Sequence, residues 1–493
     1  MGILARSGSF HVNALSKRRF QTTFCLWRRY FCRGRLKTVK MPQTSVRKPF
    51  MLFNHTASEL TGLCGHALDL AKNMGAAAAE ADFSESIGQS VSVRLGEIEQ
   101  IEFQQDKSLD ITVYVGKRKG RASTADFSEK ALQDTVKAAI DIARYTAEDD
   151  CAGLADASLM ARHVGDLDRY HEWDLSTEAA IELAKQCEQA ALSADERIEN
   201  SEGAGVQTGH YQYVYGNTHG FTAHQQGTRH SISCSIVAAD ENGMQRDYWY
   251  DAACRHQDMD SPEQIGKTAA ERTLRRLNSR SIPTGSYPVL FDTTVAGGLI
   301  GHLVGALSGG ALYRQSSFLI DSIGRKVLPD FLSLREEPHI PRAFGSTYFD
   351  SEGVATRPRF VIRDGIVEGY FLSSYSARKL GMQTTGNAGG AHNLYLNHTH
   401  ETQSDLLKEM GTGLLVTELM GQGVNTITGD YSRGAAGFWV ENGIISHPVQ
   451  EITIAGRLQD MYLGIVGTAN DALRRSSNKI GSVLIESMTV AGE

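Results

Sequence analysis

The chain has 493 residues, 41% of them hydrophobic, with only 10 Pro and 50 Lys/Arg against 57 Asp/Glu; this is a globular composition, neither disordered nor collagen-like. The formal charge of −7 is an average of two unlike parts, because residues 1–50 hold twelve Lys/Arg and no acid, which leaves 38 basic and 57 acidic residues, a balance of −19, in the rest. A body that acidic excludes a sequence-independent nucleic-acid binder, which needs a basic face to displace phosphate counterions.

The Arg-rich, acid-free arm 1–50 resembles a mitochondrial transit peptide in composition. Arg28, Arg29 and Arg33 interrupt its one apolar run, so it is not a secretory signal. Three readings stay open: a true start at Met41 or Met51, a flexible basic arm, or organelle targeting. Seven cysteines, at 25, 32, 64, 151, 187, 234 and 254, form no CxxC pair. That odd count and irregular spacing fit a reducing cytoplasm.

In the body, Thr56-Ala57-Ser58-Glu59 reads as a capping box before an apolar helix that stops at Gly75. Alternating runs predict strands over Ser90–Phe103 and Leu109–Val115, with a basic turn at Lys117–Arg121. Helices follow at about 128–145 and 176–192. Four short strands are then expected, at His210–Tyr215, Thr222–His224, His230–Val237 and Gln245–Tyr250, the last pair joined through Asn242-Gly243. Ser261-Pro262-Glu263-Gln264 combines an N-cap, Pro at N1 and a capping-box Gln, predicting a helix to about Leu277.

Glycine density doubles beyond residue 284, where 29 of the 49 glycines lie. The expected architecture is α+β: an N-terminal mixed α/β sandwich-like domain over 51–283, and a C-terminal mainly antiparallel β domain over 284–493. After a strand at Tyr287–Phe291, Asp292, Thr293 or Thr294 caps an uncharged stretch with Gly297, Gly301, Gly305 and Gly309 four apart. On a helix these form one bare stripe that another backbone can approach. Each costs ~1 kcal/mol relative to Ala, so four in register need a return. A buried helix against a sheet is the expectation, over a membrane GxxxG face.

Direct scans nominate no catalytic centre. There is no GxxxxGK[ST], no G-x-S-x-G and no helical HExxH. One alternative metal set remains, His398, His400 and Glu401 with His302, although His-x-His alone is a weak signal.

Six longer motifs carry more. They are Gly301-His302-Leu303-Val304-Gly305-Ala306, Phe349-Asp350-Ser351-Glu352-Gly353, Ser373 to Gly381, Lys408 to Gly413, Thr417 to Gly423, and Gly429 to Gly443. Asp141 to Thr146 and Cys151-Ala152-Gly153 agree with them. With these motifs the chain, from about residue 52 onward, resembles the PmbA (TldE) branch of the TldD/PmbA family.

The resemblance implies a cytoplasmic protein of proteolysis, one subunit of a heterodimeric metalloprotease that trims or degrades unfolded peptides, of microcin-precursor or antitoxin type. In the TldD branch a helix carries H-E-x-x-x-H, and a late cysteine completes the zinc site. Here Leu303 follows His302, Leu307 stands at the second histidine, and no cysteine follows Cys254. The expectation is therefore no metal and no catalytic residue in this chain, with zinc in a TldD-type partner. Gly389, Gly390, Asp430 and Arg433 are nominated for peptide or partner contact, against a local Asp430–Arg433 ion pair in a turn. A homodimer in isolation is expected to be feasible; neither nucleic acid nor membrane is expected as a partner. The rival readings are an autonomous metalloprotease using the His set, and a non-enzymatic regulator of gyrase-modulator type.

Overall fold

Thr56 opens the first helix as its sequence predicts. Its hydroxyl accepts from Glu59 N at 3.2 Å, and the Glu59 carboxylate accepts from Thr56 N at 2.7 Å, so two orphan donors are satisfied at once. The structure is a computed structural model that describes residues 53–492. The expectations for the basic arm 1–50 lie outside the described residues.

Helix α1 (Ala57–Asn73) leads into a meander, β1 (Ala78–Arg94), β2 (Glu97–Val115) and β3 (Arg118–Thr124). The single strand read over Ser90–Phe103 is instead a hairpin. Leu95 and Gly96 turn it with φ of 52° and 78°, between the apolar pairs Val91/Val93 and Ile101/Phe103 that read as one alternating run. Ser128 caps α2 (Glu129–Tyr145), and Ser176 caps α3 (Thr177–Leu192). Then come β4 (Asn200–Asn217), β5 (Thr222–Asp240), β6 (Gly243–Ala253) and α4 (Pro262–Leu274). β5 is one strand rather than two. It pairs with β4 from Thr222 to Val237, and the polar Gln225-Gln226-Gly227 that broke the hydrophobic pattern lies inside the ladder.

These six strands form one antiparallel sheet in the order β3-β2-β1-β4-β5-β6. All four helices cover one face. α1 and α2 pack on Ala79, Ala81, Phe83, Ile111 and Val214; α3 and α4 pack on Val91, Val93, Val206 and Ile236. Because strand side chains alternate, Asp82, Ser84 and Ser86 of β1 and Tyr211, Tyr213 and Tyr215 of β4 point to the opposite, helix-free face.

The second half begins with β7 (Gly285–Phe291), α5 (Thr293–Ala306) and α6 (Gly309–Tyr313). β8 (Leu334–Glu336), β9 (Arg359–Arg363), β10 (Ile366–Val367), α7 (Ser374–Lys379), β11 (Leu394–Leu396) and α8 (Gln403–Met410) follow. The chain ends in β12 (Gly413–Met420), β13 (Asp430–Glu441), β14 (Ile444–Arg457), α9 (Leu458–Leu463), β15 (Ile465–Thr468), β16 (Asn478–Lys479) and β17 (Val483–Ala491). The strands run β14-β13-β12-β7-β17, and a β14–β17 pairing closes them into a ring, with β15 appended to β17. A smaller sheet, β10-β9-β8-β11-β16, lies beside it in sequence order. Pairing is antiparallel except for β12–β7 and β11–β16. The α+β expectation holds.

The glycine helix differs from its expectation in two ways. It ends at Leu307, and Ser308 caps α6 separately, so Gly309 leaves the stripe. The packed face is also the other one. Ala296, Leu299, Ile300, Leu303 and Ala306 enter the main core. A Cβ built on Gly297, Gly298, Gly301 or Gly305 would meet no heavy atom within 4 Å. At 14 residues α5 is too short to span a bilayer, and no described helix is long and apolar enough to do so.

Candidate functional site

The helix-free face of the first sheet forms the floor of a cleft of about 480 Å³. The cross-strand register sets its rows, with Asp82 beside Asp110 and Tyr215, Ser84 beside Ser108 and Tyr213, and Ser86 beside Asp106 and Tyr211. The walls come from the second half of the chain, the segments 347–351 and 388–392. Phe349 joins wall to floor, its ring centroid 6.3 Å from Tyr213 and 6.4 Å from Tyr215.

Two buried carboxylates hold the walls. Asp350 accepts from the backbone N–H of Glu352 at 2.9 Å, Val354 at 3.0 Å and Ala388 at 2.9 Å. Burial nevertheless pushes its carboxyl up to about 7, since the three N–H groups only partly offset desolvation. Glu336, from β8, accepts from Asn387 Nδ2 and His392 N, both at 2.8 Å, and pairs with Arg359 Nε at 2.8 Å. This network fixes the turn 386–392. Gly389 and Gly390 there have φ of +101° and +121°, and a Cβ on Gly389 would lie 2.6 Å from Ser351 Oγ. Both nominated glycines thus line the cleft.

On the floor, Asp82 forms no hydrogen bond or ion pair with any described residue. Burial, and then the neighbouring charge of Asp110, raise its carboxyl to about 6. Asp110 is itself bridged to Arg121 at 2.7 Å. Arg169 ties floor to wall, donating to Ser346 O at 2.6 Å, to Phe344 O at 3.2 Å and to the Tyr211 hydroxyl.

The other nominated residues lie elsewhere. Asp430 and Arg433 belong to strand β13 rather than a turn, and three positions apart they point to opposite faces. They form no ion pair. Asp430 accepts from Thr428 Oγ1 at 2.5 Å, and Arg433 Nε donates to Met420 O at 3.4 Å. His302 rests edge-on against Tyr431, ring centroids 6.1 Å apart; burial and then Arg433 hold its imidazole below its ordinary pKa.

The alternative metal set is not assembled. His398 pairs with Glu401 at 3.6 Å, while His400 turns to Glu409 at 2.9 Å and to Thr399 Oγ1 at 2.8 Å. Among the described residues no three His, Cys, Asp or Glu side chains are grouped so as to hold a metal ion.

Sequence reasoning named Phe349-Asp350-Ser351 as a motif but gave it no place. It missed Asp82 and the tyrosine row altogether. The period-two Tyr211, Tyr213 and Tyr215 was the available signal, since three aromatics on one strand face require something to cover them.

A helix-backed antiparallel sheet joined to a ring of β strands is the fold of the metallopeptidase-related proteins that this chain matches. It superposes on the crystal structure of a candidate modulator of DNA gyrase from Bacteroides thetaiotaomicron with a TM-score of 0.84 and 31% identity, over 89% of this chain and 100% of that one. TldE from Thermococcus kodakarensis, at 20% identity, shares the fold with a TM-score of 0.75 over 87% of this chain and 100% of that one. Domain 1, the central domain and the C-terminal domain of the PmbA/TldA metallopeptidases match residues 79–143, 170–277 and 284–492. Metalloprotease PmbA of Escherichia coli O157:H7 is 51% identical over 427 residues, covering 87% of this chain and 95% of that protein. The chain belongs to the PmbA/TldA metallopeptidase family.

The residues present do not fit the zinc site that the TldD resemblance describes. Leu303 and Leu307, at the glutamate and second-histidine positions, are both 0% exposed in the main core. They face the sheet rather than any space a metal-bound water could occupy.

Proposed function

We propose that this chain is the metal-free subunit of a cytoplasmic TldD–TldE-type protease that processes or degrades unfolded peptides. The TldD-type partner supplies zinc and the water-activating glutamate, and this chain closes the chamber and holds peptide. The observation that carries the reading is the burial of Leu303 and Leu307. They turn the helix face that bears metal chemistry in the TldD branch into core. The 51% identity to Metalloprotease PmbA supports the peptidase class. The uncovered stripe of α5 supports a protein partner, because a backbone approaching Gly298, Gly301 and Gly305 meets no side chain. The cleft beneath Gly389 and Gly390 supports peptide binding.

The test is co-purification with the TldD-type partner, then cleavage of an unstructured peptide by each chain alone and by the mixture. Cleavage is expected to require the mixture, and the isolated chain is expected to hold no stoichiometric zinc. Cleavage by this chain alone overturns the reading.

A further inference from the structure

β2 pairs with β1 from Glu97 to Tyr114, but with β3 only from Leu109 to Val115. Residues 97–108 therefore have no strand partner on their second edge among the described residues. Long free edges invite pairing with another chain, and folds usually blunt or cover them. This one stays open for twelve residues and carries Ile98, Ile101 and Phe103 at 49%, 41% and 70% exposure.

The edge runs into the cleft. Asp106 and Ser108 line it, and their face of the sheet continues to Asp82, the floor carboxylate without a partner. The charge along this path is mostly acidic. Glu97, Glu99, Glu102, Asp106, Asp110 and Asp82 outnumber its cations, which are Arg94 opposite Glu97, with its Nε donating to Ser201 O, Arg121 bridged to Asp110, and Lys107, whose ammonium lies 4.9 Å from the Phe127 ring centroid. Register places Lys107 opposite Glu85, on the helix-covered side and away from Asp82.

We propose that the cleft and the free edge of β2 form one track for an extended basic peptide, whose backbone adds to residues 97–107 as a further strand and whose Lys or Arg side chain enters the cleft against Asp82. The inference rests on the peptide-handling reading above and names its substrate class. Backbone pairing supplies affinity at any sequence, and side-chain pockets supply the choice. The carboxylate of Asp82 sits beside Tyr213 and Tyr215, whose ring faces also favour a cation. A second copy of this chain is the poorer occupant. Antiparallel self-pairing about Glu102 sets Glu102 against Glu102, and like charges directly opposite destabilise a ladder.

The test uses the full chain and two fluorescent twelve-residue peptides of Thr and Val, one bearing four Lys and the other four Glu. Anisotropy is expected to show binding of the Lys peptide only. Asp82→Asn, and separately Glu99→Lys with Glu102→Lys, are each expected to weaken it about tenfold, as for the loss of one charge-assisted contact. Amide exchange at 97–107 is expected to slow when the Lys peptide is bound. Equal binding of both peptides, or no change in either variant, overturns the proposal. So does sedimentation showing a dimer that Glu99→Lys with Glu102→Lys dissolves while no peptide binds. If the mixture with the TldD-type partner cleaves a neutral peptide but the Lys peptide does not bind, the track alone fails. If the mixture cleaves nothing while the Lys peptide binds this chain, the protease reading alone fails.

Discussion

Glycine serves two opposite purposes in the second half of the chain. Around the cleft, Gly386, Gly389 and Gly390 adopt φ of +74°, +101° and +121°, and the first two press against Ala355 O and Ser351 Oγ. There glycine is demanded by backbone shape and by close approach. On α5, Gly297, Gly298, Gly301 and Gly305 sit in ordinary helical conformation against open space. Nothing among the described residues requires them. A glycine that its own fold needs is part of a built site; one that its fold does not need points outward, to a contact the chain makes with something else.

The comparison breaks first at the network beneath the cleft glycines. Glu336→Ala strands Arg359 in a buried setting and is expected to cost about 3–5 kcal/mol in urea unfolding. The turn 386–392 should then lose its amide protection before the rest of the chain. An unchanged midpoint would mean that the glycines order the turn by themselves.

Gly386→Ala should cost about 2 kcal/mol, since the new Cβ lands 2.8 Å from Ala355 O at a left-handed φ. Cleft substitutions of this kind should also lower peptide affinity.

Asp82→Asn tests whether the cleft floor is held at a cost. The folded pKa of Asp82, about 6, lies above the ordinary aspartate value of 3.8, so the native state binds the proton more tightly than the unfolded chain. Wild-type stability from this group is therefore full below pH 3.8 and is lost as pH rises through 6. The variant is expected to exceed wild type in melting temperature at pH 7, by on the order of 1–2 kcal/mol in stability, and to match it near pH 4. A constant difference across pH would remove Asp82 from this account.

Smallest, and again stabilising, is Gly301→Ala. Open space around it predicts stabilisation of about 1 kcal/mol or less from helix propensity. If α5 meets the partner backbone, the same change should weaken co-purification with the TldD-type subunit. Destabilisation of the isolated chain would show that the stripe is needed internally after all.

Much of the first half was legible in the residues. The caps at Thr56 and Ser261 form as their sequences predict, and the helices expected from about 128 and 176 begin there, capped by Ser128 and Ser176, because a cap is a local event within four residues. The Leu95-Gly96 turn was not, since apolar residues recur on both sides of it and the strand pairing is what reveals the reversal. The cleft was half legible: Gly389 and Gly390 were nominated, while Asp82 lies 307 residues and Tyr213 176 residues before Gly389 in sequence. Asp430 and Arg433, close in sequence, were expected to meet and do not, because a strand sends positions three apart to opposite sides.

By itself the sequence determined the family, through motifs long enough to be specific, and the lack of a metal-ligand type at Leu303 and Leu307 and of any cysteine after Cys254. Those are facts of residue identity and need no coordinates. Tertiary structure alone decided which face of α5 is core, that the free edge of β2 runs into the cleft, and that Asp82 stands there without a partner. Each depends on what packs against a residue from far along the chain, and burial and charge are properties of that surrounding rather than of the residue.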